Sequence, residues 1–141
     1  MAHKIIDIEG IGPVYAETLL QAGIRTVEAL LKTAASKAGR KALAAQTGLS
    51  ETLLLRWVNM ADLFRVKGVG EEFSDLLEAA GVDTVKELRK RVPERLHAKM
   101  VEVNAVKKLA GRNPHLSEVL KWVEGAKALE PKVTHSCRGS G

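Results

Sequence analysis

A stretch of 24 residues occurs twice in this chain, 58 positions apart and without a gap. Residues 8–31 read IEGIGPVYAETLLQAGIRTVEALL and residues 66–89 read VKGVGEEFSDLLEAAGVDTVKELR. Eight positions are identical: Gly10/Gly68, Gly12/Gly70, Leu19/Leu77, Ala22/Ala80, Gly23/Gly81, Thr26/Thr84, Val27/Val85 and Leu30/Leu88. Ile8/Val66, Ile11/Val69, Tyr15/Phe73 and Ile24/Val82 differ only conservatively. The shared residues are glycines, a capping threonine and core aliphatics, which are the positions that set backbone geometry. Any fold proposed for this chain must therefore build the same local structure twice.

Each copy reads as turn, helix, turn, helix. A Gly-apolar-Gly corner comes first. Pro13 suits the first helical position, where a missing N–H costs nothing. Glu71 and Glu72 hold the matching place in the second copy, favoured by the positive helix end. The spacing predicts helices over about 13–22 and 71–80, stopped by Gly23 and Gly81 at C′. Thr26 and Thr84 then cap new helices. Residues 37–46 read as a further helix, ended by Gly48. Ser50 caps another over about 51–63 that carries Leu54, Trp57, Val58 and Ala61 on one face. Pro93 opens a helical stretch to about Ala110, and Gly111-Arg112-Asn113-Pro114 breaks it. Ser117 is expected to cap a last helix with Val119, Trp122, Val123 and Ala126 at helical spacing. Leu49-Ser50-Glu51 before Trp57-Val58 echoes Leu116-Ser117-Glu118 before Trp122-Val123.

The expected fold is all-α, two tandem pseudo-repeats of about four helices, over 1–64 and 65–131, with 132–141 as a flexible tail. Composition agrees. Aromatics are 4% and apolar residues 45% of the 141 residues, so the core must be aliphatic, which favours packed helices over a sandwich or barrel. Trp57, Trp122, Tyr15 and Phe73 are expected to pack between helices. No apolar run approaches the ~18 residues of a membrane span. The first residues lack the apolar core of a signal peptide, and a cytoplasmic location is expected.

Catalytic and metal sites find no support in the sequence. Cys137 is the one cysteine, so neither an intramolecular disulfide nor a cysteine-based zinc cluster can form. His3, His97, His115 and His135 have no ligand spacing. Asp7, Glu9 and Asp62 make no convincing acidic pair. No nucleophile-base set and no Walker-type loop is present. The expectation is a protein that is not an enzyme and uses no cofactor, metal, small-molecule substrate or membrane.

The two glycine corners resemble the helix-hairpin-helix motif of DNA ligases, Holliday-junction proteins and repair nucleases. Ile8 to Ala16 with Leu19 and Gly23-Ile24 carries the first match, and Val66 to Gly70 with Leu77 and Gly81-Val82 the second. The whole chain is also similar to a bacterial family of tandem helix-hairpin-helix proteins without an assigned function. The resemblance implies that main-chain N–H groups at Gly10, Ile11, Gly12, Gly68, Val69 and Gly70 meet a phosphate at a helix N-terminus. Such contacts grip double-stranded or branched DNA without reading bases.

Charge both supports and opposes that implication. Lys and Arg outnumber Asp and Glu by 22 to 17, a net charge of +5. Lys67 stands in the second corner. The densest basic run is Lys86, Arg89, Lys90, Arg91, Arg95, His97 and Lys99, with Lys37, Arg40 and Lys41 as a smaller group. Lys86, Arg89, Lys90 and Arg91 are the run's candidate phosphate contacts. DNA-binding relatives of the motif, however, often carry a cation just after the second glycine. Here the first copy has Pro13-Val14-Tyr15 and the second Glu71-Glu72. The alternative reading is a protein-interaction or scaffolding module that has lost DNA binding.

Overall fold

The computed structural model describes residues 4–8 and 10–133, and those residues are helical without a strand. A short 3-10 turn spans Ile5–Asp7. Eight α-helices follow: α1 Pro13–Gln21, α2 Val27–Ala34, α3 Lys37–Thr47, α4 Glu51–Leu63, α5 Glu71–Ala79, α6 Val85–Leu88, α7 Pro93–Lys107 and α8 Leu116–Lys127. They form two compact units, one of residues up to Asp62 together with Lys132 and Val133, the other Leu63–Pro131. Val133 is buried. Glu9, His3, His135 and Cys137, with the rest of the expected tail after Val133, lie outside the described residues.

Local chemistry explains the helix boundaries. Gly23 and Gly81 follow the C-caps Ala22 and Ala80 at φ +86° and +96°, a left-handed conformation that a side chain resists. Thr26 accepts a hydrogen bond from Ala29 N–H and Thr84 from Glu87 N–H, at 3.1 and 3.3 Å. Ser36 and Ser50 do the same for Gly39 and Leu53, both at 3.0 Å. Each hydroxyl satisfies a first-turn donor that the helix itself cannot.

In the first unit the buried residues include Ile8, Ile11, Leu19, Leu30, Leu54 and Trp57. In the second, Val66, Val69, Leu76, Leu77, Leu88, Met100 and Trp122 belong to one cluster. There α7 packs against α5 and α8, and α6 against α8. Both tryptophans are fully buried and each meets the aromatic of its unit's first helix. Tyr15 lies 5.0 Å from Trp57 at 61°, and Phe73 lies 5.1 Å from Trp122 at 50°. Both are the edge-on or tilted arrangement that ring quadrupoles prefer.

Three sequence expectations change. The last helix starts one residue before Ser117, with His115 as N-cap, because the Glu118 carboxylate at its third position reaches back to His115 N–H at 2.9 Å. Helix α7 stops at Lys107, short of Ala110. Lys108 takes φ +53°, and the buried Asn104 amide closes the end by bonding both Ala110 N–H and Ala110 C=O. Arg40, expected among surface cations, is 2% exposed. Its guanidinium donates to the Ala34 and Ala35 carbonyls at the end of α2, at 3.0 and 2.9 Å. Burial lowers its pKa, and Glu51 opposes that shift. Glu51 also pairs with Lys37 at 3.7 Å, so two of this basic trio are engaged within the unit while Lys41 stays exposed.

The break before α8 is fastened by one ion pair. Arg112 meets Glu118 through two hydrogen bonds of 2.8 and 2.9 Å and lies over the Phe73 ring at 5.1 Å. Bonding to Arg112, then to His115 N–H, holds the Glu118 carboxyl down to about 2 from an ordinary 4.5. A depressed carboxylate stabilises the fold above its unfolded value and loses that contribution as pH falls toward the folded value. The melting temperature of the chain is therefore expected to decline between about pH 4.5 and 2 through this group. In Glu118→Gln that part of the decline should vanish, which thermal melts followed by circular dichroism will read. An unaltered pH profile in the variant would remove Glu118 from the explanation.

Candidate nucleic-acid interface

Each glycine corner is a tight turn followed directly by a helix. Ile11 N–H donates to Ile8 C=O at 3.0 Å, and Val69 N–H donates to Val66 C=O at 3.1 Å. Gly10 and Gly68 occupy the third place of these turns at φ +93° and +92°. A turn of that hand needs a glycine there. The apolar residue between the glycines is an anchor: Ile11 and Val69 are each 3% exposed. Their amides are consumed in closing the turn and are not open to a ligand.

The amides on either side of them are open. Among the described residues Gly10, Gly12, Gly68 and Gly70 N–H groups have no hydrogen-bond partner. Gly10 and Gly68 are exposed, Gly12 and Gly70 half-buried. Gly12 is the N-cap of α1 and Gly70 of α5, and neither has a side chain to cap the first turn. A Cβ built on Gly12 or Gly70 meets no atom within 4 Å, so the side-chain position at both is open. Free donors, open space and the positive end of a helix make a place for an oxyanion.

The surroundings of the two corners differ. Beside Gly68 runs a groove of 430 Å³ lined by Lys67, Lys121 and Trp122, with Val66, Glu118 and Gly125. Lys67 and Lys121 are exposed and carry no ion pair among the described residues, while Glu118 is engaged by Arg112. Glu72 does not cap its own helix; its carboxylate accepts from Gly111 N–H at 3.3 Å. The first corner has a different neighbour, an apolar groove of 580 Å³ lined by Ile5, Ile6, Pro13, Leu20 and Ile24 with Lys4 and Arg25.

Lys121 is not among the candidates that sequence reasoning picks out, although a signal exists. It immediately precedes Trp122, as Arg56 precedes Trp57, so the repeat itself places a cation next to each tryptophan beneath a glycine corner.

No residue of the basic run after α5 lines the groove beside the second corner. Lys86 and Arg89 are half-buried on and just after the short α6. Arg91 donates to Gly81 C=O at 2.9 Å and pairs with Glu87 at 3.5 Å; Lys90 shares Glu87 at 3.8 Å. Lys90 and Arg91 line a separate concavity with Arg95 and Lys99. His97 meets Pro114 C=O through Nε2 at 2.9 Å. Among the described residues no three His, Cys, Asp or Glu side chains are grouped to hold a metal ion, and no helix is long and apolar enough to cross a membrane.

No curated protein and no solved structure matches this sequence. One family model does, over residues 9–129, a span that takes in both glycine corners and α1 to α8. The chain accordingly belongs to the family described as a domain of unknown function, DUF4332.

Proposed function

We propose that the chain is a non-enzymatic module of two tandem helix-hairpin-helix motifs that holds the phosphate backbone of double-stranded or branched DNA without reading base sequence. One observation carries the reading. Two glycine N-caps, Gly12 and Gly70, leave main-chain donors unpaired at the start of a helix, with open space where a side chain would stand. A protein that needed these helices only for packing gains by placing Ser, Thr or Asp at the N-cap, as it does at Thr26, Ser36 and Thr84. Keeping glycine at both corners leaves the site to an outside acceptor. Lys67 and Lys121 flank the second corner and supply the long-range attraction that amides lack. Glu71 remains near, and the second corner is for that reason expected to be the weaker.

Duplex affinity measured by fluorescence anisotropy over a series of salt concentrations tests this. Each corner contacts one or two phosphates, so log K should fall against log salt with a slope of about −2 to −4. Sequence-scrambled duplexes should bind equally. Absence of duplex binding at low salt overturns the reading. What then remains is protein interaction, favoured by one observation: Ile6, Val14, Tyr15 and Leu20 of the first unit are exposed, Val14 by 78%.

A further inference from the structure

Where α6 gives way to α7, the second unit has a concavity of 410 Å³ whose lining includes four cations, Lys90, Arg91, Arg95 and Lys99. Its floor is apolar, formed by Ala80, Val92 and Leu96, and no carboxylate lines it. The cations arrive from two directions. Lys90 and Arg91 stand in the loop before α7; Arg95 and Lys99 are four residues apart on α7 and share a face. Arg91 is held in place by Gly81 C=O and Glu87. Lys90 depends on that same Glu87. Arg95 and Lys99 are exposed and have no ion pair among the described residues. Glu94 and Glu102, the acids of α7, do not line the cavity.

One carboxylate shared by two of four cations leaves a concentrated positive charge in a single depression. Concave, partly apolar walls focus that field and screen it less than open water does. A ligand with several negative charges relieves the repulsion; a single carboxylate relieves little. Arginine forks and lysine ammonium groups both suit phosphate oxygens. The cavity is compact, which fits a short anion better than the extended track a duplex needs. Helix α7 begins at its edge with Pro93, and its N-cap Val92 offers no side-chain acceptor, so the helix end adds to the positive potential.

We infer that this cleft binds a polyphosphate group, either free or as the tail of a nucleotide. The site is separate from the glycine corners and does not rest on DNA binding.

Calorimetric titration of the full chain in magnesium-free buffer with tripolyphosphate, ATP and orthophosphate tests the inference. Tripolyphosphate is expected to bind one to one, with orthophosphate weaker by about tenfold or more. Equal affinity for ATP and tripolyphosphate assigns recognition to the phosphates alone; tighter ATP binding places the nucleoside on the apolar floor. The double variant Arg95→Ala, Lys99→Ala changes exposed residues, so its circular dichroism should match the parent. Its tripolyphosphate affinity should drop by about tenfold. Aspartates at the two glycine N-caps, Gly12→Asp with Gly70→Asp, should leave polyphosphate binding intact, which separates this site from the DNA reading. No saturable heat with tripolyphosphate, or parent-like affinity in the double variant, overturns the inference.

Discussion

Trp122→Ala is expected to cost the second unit about 3–5 kcal/mol, the range for emptying a buried large aromatic site. Trp122 is 2% exposed and lies in the cluster that holds Val66, Val69, Val119 and Val123. It also stacks at a tilt on Phe73 and forms the surface beneath Gly68. Removing it opens a void at the place where the glycine corner, α5 and α8 meet, and backbone turns on either side limit collapse. Small domains have total stabilities of about 5–15 kcal/mol, so this loss is a large share. The experiment has a built-in control. Each unit contains one tryptophan, so fluorescence of Trp57 in the variant follows the first unit alone, while circular dichroism follows both. Urea titration should show an early circular-dichroism transition. A shift below about 1 kcal/mol would mean that Trp122 is not a core anchor.

Gly68→Ala should be the most damaging single-methyl change at either corner. Gly10 and Gly68 share one backbone conformation, and an L side chain there costs about 1–2 kcal/mol. Their neighbours differ. A Cβ on Gly68 stands 3.0 Å from Trp122 Nε1, against 3.7 Å between the same atom on Gly10 and Trp57 Nε1. The second distance is ordinary contact. The first requires a fully buried ring to move, and overpacking of that kind costs about 1–3 kcal/mol more. Gly10→Ala therefore measures the backbone penalty, and the excess in Gly68→Ala measures the close approach. Denaturation midpoints of the two variants give both values. Equal losses, or a milder one at Gly68, contradict the packing described.

Much of this fold is legible in the amino-acid sequence, because local chemistry sets its boundaries. Glycines at 23 and 81, threonines at 26 and 84 and Pro13 act within a few residues of themselves. The all-helical class and the buried tryptophans follow from composition and helical spacing, whereas the meeting of Tyr15 with Trp57 and of Phe73 with Trp122 is a matter of packing. Which of several competing nearby partners a group takes is not legible in that way. Ser117 has good capping chemistry, but the Glu118 carboxylate returning to His115 starts the helix earlier. Arg40 looks like a surface cation until the end of α2 proves to need a donor. Helix α7 ends early because of a side-chain amide six residues before Ala110, which no periodicity reveals. At the interface the glycines are legible as corners, yet not which amides remain open. Ile11 and Val69 lose theirs to the turn. Lys121 reaches the second corner only through the packing of Trp122.

The most direct test of the central claim uses a variant that improves the fold while blocking the site. Gly12 and Gly70 have extended backbone angles, at φ −86° and −109°, and room for a side chain. Aspartate is a better N-cap than glycine by a few tenths of a kcal/mol, so Gly12→Asp with Gly70→Asp should melt no lower than the parent. The new carboxylates accept from first-turn N–H groups next to the open Gly12 and Gly70 amides and set negative charge before them. Duplex anisotropy at low salt is the measurement. The account predicts affinity reduced by about tenfold or more in a fully folded double variant. Duplex affinity equal to the parent's, in a protein of unchanged melting temperature, would contradict it.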